Sequence, residues 1–303
     1  MRGEPEGFID VPGGRVWYRV AGADRAGVPL FGLHGGPGFT HDTLLTLNGL
    51  ASDRPVVLYD QLGSGRSDRP VDLGFCRVDR FVEEVGSVRE SLGLDRIHLL
   101  GHSWGGTLAL SYALTGPAGL ESLILASPLV STSRWLEDAR RLRSKLPEDV
   151  QRVLADHEER GFTGCPEYVA ATYEFYRRHL CRLSPWPEEL ERGFAEMSTD
   201  VYESMWGPTE FHCTGGLVEL DLAPRLGELR MPVLFTCGRH DEATPDTVAS
   251  FRNAVPGAEL AVFEESSHSA HLEETERYLD VVRVFLQSAE APTIFEGGEN
   301  ARG

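Results

Sequence analysis

The chain has 303 residues, 41% of them hydrophobic, enough to bury the core of one large domain carrying an insertion, or of two domains. Its 47 acidic and 29 basic residues give a formal net charge of -18, which argues against a nucleic-acid partner. Five cysteines (Cys76, Cys165, Cys181, Cys213, Cys237) are odd in number, scattered and without metal-ligand spacing, so reduced thiols in a cytoplasmic protein are expected.

The first ten residues are polar and carry acids, with no apolar stretch of the signal-peptide kind. No run is long enough to span a membrane, and no membrane partner is expected. Residues 7–11 and 15–20 flank a Pro-Gly-Gly turn and read as the start of a β-meander. Apolar runs at 29–33 and 55–59 read as buried strands, and helical patterns lie at 43–50 and 78–92. A short strand at 97–100, a helix after Ser103 ending before Gly116-Pro117, and a strand at 122–126 continue the alternation. This rhythm implies an α/β fold, a mostly parallel sheet with helices on both faces. From Ser131 the texture changes to amphipathic, charge-rich helices with aromatics and no strand-like run. Strands resume at 231–237 and 258–263, and a last helix is expected at about 273–286. The division expected is an α/β core in two parts, 1–130 and 218–288, a helical cap at 131–217, and a loose Gly- and Glu-rich tail at 289–303.

The stretch GHSWGG, residues 101–106, lies where a strand passes into a helix. A serine there can serve as an ordinary helix cap. It also fits a nucleophile elbow, G-x-S-x-G, with Gly101, Ser103 and Gly105 in the defining places. The flanking glycines remove Cβ atoms that would collide with backbone at so sharp a turn. In an open parallel sheet, chemistry collects at the carboxyl ends of the strands, and two further strand ends carry suitable groups. One leads into Asp241, with Glu242 and Asp246 as competing acids, and the other into His268, with His271 as the competing base. Ser103, Asp241 and His268 follow the chain order nucleophile, acid, base. A hydroxyl needs such a base to attack a carbonyl, and the base needs a carboxylate to orient it. The loop HGGPG, residues 34–38, follows an early strand and offers the Gly36 N–H to an oxyanion; the Trp104 N–H is the second donor.

These segments resemble the proline iminopeptidase group of α/β-hydrolases. The match rests on HGGPG (34–38), YDQLGSGRSDRP (59–70), GHSWGG (101–106), GRHDEATP (238–245) and SSHSAH (266–271), and extends over almost the whole chain. The resemblance implies a serine peptidase that releases N-terminal residues from short peptides or aminoacyl amides, with no metal and no organic cofactor. MWGPTEF, residues 205–211, is similar to the branch that includes the tricorn-interacting aminopeptidase and amino-acid amidases. By that resemblance Glu210 and Glu242 hold the substrate's α-ammonium. Two carboxylates facing a desolvated cation reject a blocked N-terminus. Asp60, Gly63, Gly65 and Arg66 are read as loop architecture near the site. Carboxylesterases, lactonases and acyltransferases use the same three groups, whereas hydrolases with an aspartate nucleophile are disfavoured by Ser103. A binding protein on this scaffold would not need all three.

Overall fold

The computed structural model of the chain describes residues 5–291. Eight strands form one sheet: β1 (Glu6–Val11), β2 (Gly14–Ala21), β3 (Leu30–Leu33), β4 (Val56–Tyr59), β5 (Ile97–His102), β6 (Leu120–Ala126), β7 (Val233–Gly238) and β8 (Glu259–Phe263). Their spatial order is β1-β2-β4-β3-β5-β6-β7-β8. β2 pairs antiparallel with β1 and β4, and every pairing from β4 to β8 is parallel.

Strands β3, β4 and β5 are buried at every position because both faces are covered. Phe31, Leu33, Val57 and Tyr59 point to one layer, with Phe81, Val85 and Val88 of α1 (Val78–Ser91) and Leu108 of α2 (Trp104–Ala113). Their neighbours Leu30, Val56 and Leu58 point to the other, against Leu44 and Leu47 of the 40s segment and Val282 and Phe285 near the carboxyl end. The same layering extends across the carboxyl half, where α8 (Pro245–Asn253) joins the first layer through Val248 and Phe251.

Five helices lie between β6 and β7: α3 (Thr132–Arg143), α4 (Glu148–Arg160), α5 (Pro166–His179), α6 (Glu188–Ala195) and α7 (Thr199–Met205). Helices α3, α4 and α5 share an apolar cluster of their own that includes Leu142, Leu154, Tyr168 and Phe175, with Phe194 of α6 packed against it, whereas Val201, Tyr202 and Met205 of α7 join the layer of Phe31 and Leu33. The two ends of this segment meet, with Thr132 N–H donating to Leu220 O and Leu222 N–H to Val130 O, both at 2.9 Å. The segment is tied to the core where Arg192 Nε meets Asp42 Oδ1 at 3.0 Å and Ser198 N–H donates to Gly38 O at 2.9 Å.

Two helical expectations differ in detail. The 43–50 pattern is a ten-residue 3₁₀ helix, His41–Leu50, started by the Thr40 side chain and anchored by Asp60 Oδ1, which accepts from the His41 N–H at 2.7 Å. The last helical region is broken, with α9 (Ala270–Glu273) and then α10 (Thr275–Glu290), which runs four residues beyond the expected end at Leu286. The extension has a local cause. Glu290 accepts from Arg54 Nη1 at 2.7 Å and from His98 Nε2 at 3.0 Å, which holds the final turn against the core. Ala289 and Glu290 therefore belong to α10, and residues 292–303 of the expected tail lie outside the described residues.

Candidate active site

Ser103 sits between β5 and α2 with φ 57° and ψ -119°, a conformation an ordinary residue rarely adopts. Its side chain makes no capping bond, so the ordinary-cap reading does not hold. The glycine requirement is steric: a Cβ on Gly101 would lie 2.0 Å from Gly105 O, and one on Gly105 would lie 2.1 Å from Leu33 O. The turn leaves Ser103 at the carboxyl end of β5, where its Oγ has no hydrogen-bond partner among the described residues.

His268 and Asp241 come from the turns after β8 and β7. His268 Nδ1 donates to Asp241 Oδ1 at 2.8 Å, which leaves Nε2 as the free lone pair. The Ala243 N–H donates to the same oxygen at 2.8 Å. Burial disfavours the His268 imidazolium, but the charge and hydrogen bond of Asp241, followed by the charge of Glu210, lift its pKa above the ordinary value. His271, the competing base, also lines the pocket of Ser103, but its Nε2 donates to Thr43 O at 2.8 Å, and burial pushes its pKa down to about 4. His102 Nε2 donates to the His268 carbonyl at 3.0 Å and fixes the loop from below β5.

Ser103, His268, Gly35, Gly36 and Glu210 line one pocket, with Phe39, Leu190 and Phe194 on its apolar side; its empty space is about 390 Å³ including the mouth. Neither the Gly36 nor the Trp104 N–H donates to any described residue. The loop that presents Gly36 is braced by Gln61. Its N–H donates to His34 Nε2 and its side-chain amide to His34 O, both at 3.0 Å, while its Oε1 accepts from the Trp104 indole at 2.8 Å. Asp60 holds the neighbouring turn through the Arg66 N–H at 2.9 Å, which matches the architectural reading of that motif.

Of the two glutamates, only Glu210 lines the pocket. Its Oε1 accepts from Tyr202 OH at 2.8 Å, and its backbone carbonyl accepts from the Trp135 indole at 2.8 Å. Burial raises the Glu210 pKa, with His268 and the Tyr202 bond opposing. Glu242 is fully buried, and neither of its oxygens has a donor among the described residues. Burial, then Glu210, then Asp241 hold its carboxyl well above the usual range.

Three contributors were not legible as site residues in the sequence. Ser127 Oγ donates to Asp241 Oδ2 at 2.6 Å from a backbone at φ 46°. Tyr202 and Gln61 act as just described. The partner of Ser127 lies 114 residues away and no local pattern marks it, whereas Tyr202 lies 8 residues from Glu210 and Gln61 lies within the 59–70 stretch, where neither was read as a site residue.

The sheet order, the elbow at Ser103 and a match to the family described as alpha/beta hydrolase fold over residues 28–275 define the class: the molecule is an α/β-hydrolase. A proline iminopeptidase of Heyndrickxia coagulans is 47% identical over 93% of this chain and 99% of its own length. One from Saccharolobus solfataricus is 38% identical over 93% and 92%. Among solved structures, VinJ has a TM-score of 0.91 at 40% identity, covering 94% of this chain and 98% of its own. The proline iminopeptidase of Mycobacterium smegmatis has a TM-score of 0.87 at 37% identity over the same shares. The chain belongs to the proline iminopeptidase family of α/β-hydrolases. An enol-lactonase from Burkholderia xenovorans, at 18% identity and a TM-score of 0.67, shares the fold alone. Among the described residues no helix is long and apolar enough to cross a membrane.

Proposed function

We propose that the protein is a serine aminopeptidase that releases N-terminal residues, proline or other apolar ones, from short peptides or aminoacyl amides through an acyl-enzyme. Ser103 Oγ attacks the carbonyl of the first residue as His268 Nε2 takes its proton. Asp241 keeps the imidazole in the required tautomer and stabilises the imidazolium. The Gly36 and Trp104 N–H groups receive the oxyanion. His268 then returns the proton to the leaving amine, and water, deprotonated by the same imidazole, frees Ser103. Residues 131–217 act as the cap that roofs this pocket and limits substrates to short chains.

The observation that carries this reading is a buried pair of acids, Glu210 on the wall of the nucleophile's pocket and Glu242 without a donor, with no lysine or arginine paired to either among the described residues. An α-ammonium fits that electrostatic demand and an uncharged acyl chain does not. The names of the relatives support the same substrate class.

The test compares aminoacyl p-nitroanilides with their N-acetyl forms. Loss of a bond to a charged partner costs about 1.5–3 kcal/mol, roughly 10- to 150-fold, before the bulk of the acetyl group counts. Glu210→Gln is expected to weaken turnover of the free amines while leaving p-nitrophenyl acetate nearly unaffected. Equal turnover of free and acetylated substrates would sink the proposal. Proline, alanine, leucine and phenylalanine in the same assay define the side-chain preference.

A further inference from the structure

Glu242 sits at the turn between β7 and α8, with no exposed surface and no donor to either carboxylate oxygen among the described residues. The charged groups around it are acids. Asp241 precedes it on the same turn and Glu210 acts on it from the loop after α7, while Tyr176 of α5 and Tyr202 of α7 feel the charge of both carboxyls, and the Tyr202 hydroxyl is spent on Glu210. The positively charged form of His268 is tied to Asp241 and acts on Glu210. A second full negative charge in such a place has nothing to balance it.

We propose that the substrate-free enzyme keeps Glu242 protonated, and that an α-ammonium arriving at Glu210 exchanges with that proton. The proposal rests on the reading of Glu210 as the ammonium's partner. In the exchange, the Glu242 O–H bond breaks, its electron pair stays on the carboxylate, and the proton leaves to solvent; the ammonium keeps all of its protons. One positive charge enters as one leaves, so the net charge of the buried site is constant. The raised pKa of Glu242, set first by burial and then by Glu210 and Asp241, agrees with this starting state.

The exchange makes selectivity for a free N-terminus depend on pH. Below the raised pKa of Glu242, each bound ammonium expels close to one proton, and the apparent Kd rises up to about tenfold for each unit the pH falls. Above that pKa, binding is proton-neutral until the amine itself titrates near pH 8.

Calorimetry on the Ser103→Ala protein, which cannot turn over its ligand, reads this directly with L-prolinamide as the probe. Titrations in buffers of different ionisation enthalpy between about pH 5.5 and 7.5, below the α-amino pKa, give the number of protons released. The expected number approaches one wherever the pH lies below the raised pKa of Glu242 and falls only as the pH passes it. Adding Glu242→Gln abolishes the release and flattens the pH dependence of Kd. Binding with no proton release across the range, or release that survives Glu242→Gln, overturns the exchange while leaving the ammonium reading intact. Failure of prolinamide to bind better than its N-acetyl form overturns both. A measurement needing no Glu242 variant is the infrared carbonyl band of a protonated carboxyl in the substrate-free protein. Burial also raises the Glu84 pKa to about 8, so the band is read as a difference: carbonyl intensity lost on adding prolinamide supports the exchange, and an unchanged spectrum refutes it.

Discussion

Ser127 offers the sharpest test of how the acid is held. Its hydroxyl has one hydrogen and two acceptors in reach, Asp241 Oδ2 at 2.6 Å and the His268 carbonyl at 3.1 Å. The charged and closer oxygen takes it. Without that hydroxyl, Asp241 Oδ2 keeps only the Gly238 N–H at 3.3 Å. Ser127→Ala therefore removes one bond to a buried carboxylate, worth about 1.5–3 kcal/mol of folding stability. The kinetic consequence has a definite sign. A carboxylate with one donor fewer attracts the His268 imidazolium more strongly, so the pKa of His268 rises further. The acid limb of kcat/KM should move to higher pH, and p-nitrophenyl acetate isolates it because that substrate carries no amine. Ser127→Gly separates the hydroxyl from the backbone. At φ 46° glycine is relaxed and should recover about 1 kcal/mol of stability over alanine while showing the same displaced limb. Two variants with the parental pH profile and stabilities within about 0.5 kcal/mol of the parent would refute the reasoning.

The imidazole must be neutral to take the Ser103 proton, and Asp241 and Glu210 hold its pKa above the ordinary 6.5 against burial; kcat/KM on the same ester should fall as pH drops through a value above about 6.5. Glu290→Ala should strand the buried Arg54, costing roughly 2 kcal/mol once the partial exposure of Glu290 is allowed for, on the order of 5 °C in thermal unfolding. Burial opposes ionisation of Glu290, but the bonds from Arg54 and His98 hold its pKa below the ordinary carboxylate value. Its contribution is therefore present above the unfolded carboxyl pKa and lost as pH falls through the depressed one, so the gap between parent and variant should close in acid.

The central frame was legible in the sequence because its demands are local. Only glycine fits at positions 101 and 105, and apolar runs covered on both faces leave a continuous signature. The order of Ser103, Asp241 and His268 followed from their places at strand ends. Ser127 and Gln61 were not legible, since a hydroxyl or amide gains its role only from a partner that folding brings near. The same holds for Glu242. The sequence offers it as one of two like acids, whereas the fold puts Glu210 on the pocket wall and buries Glu242 without a donor. The continuation of α10 through Glu290 was missed for a related reason: Ala289 and Glu290 precede a Gly- and Glu-rich stretch, and their helical state depends on Arg54 and His98.

The most direct test of the account is covalent labelling with a fluorophosphonate, followed by peptide mapping, with and without a competing ligand. A single label on Ser103 is expected, slowed by L-prolinamide or another free aminoacyl amide and not by its N-acetyl form. A label elsewhere with Ser103 unmodified, or equal protection by the free and acetylated ligands, would contradict it.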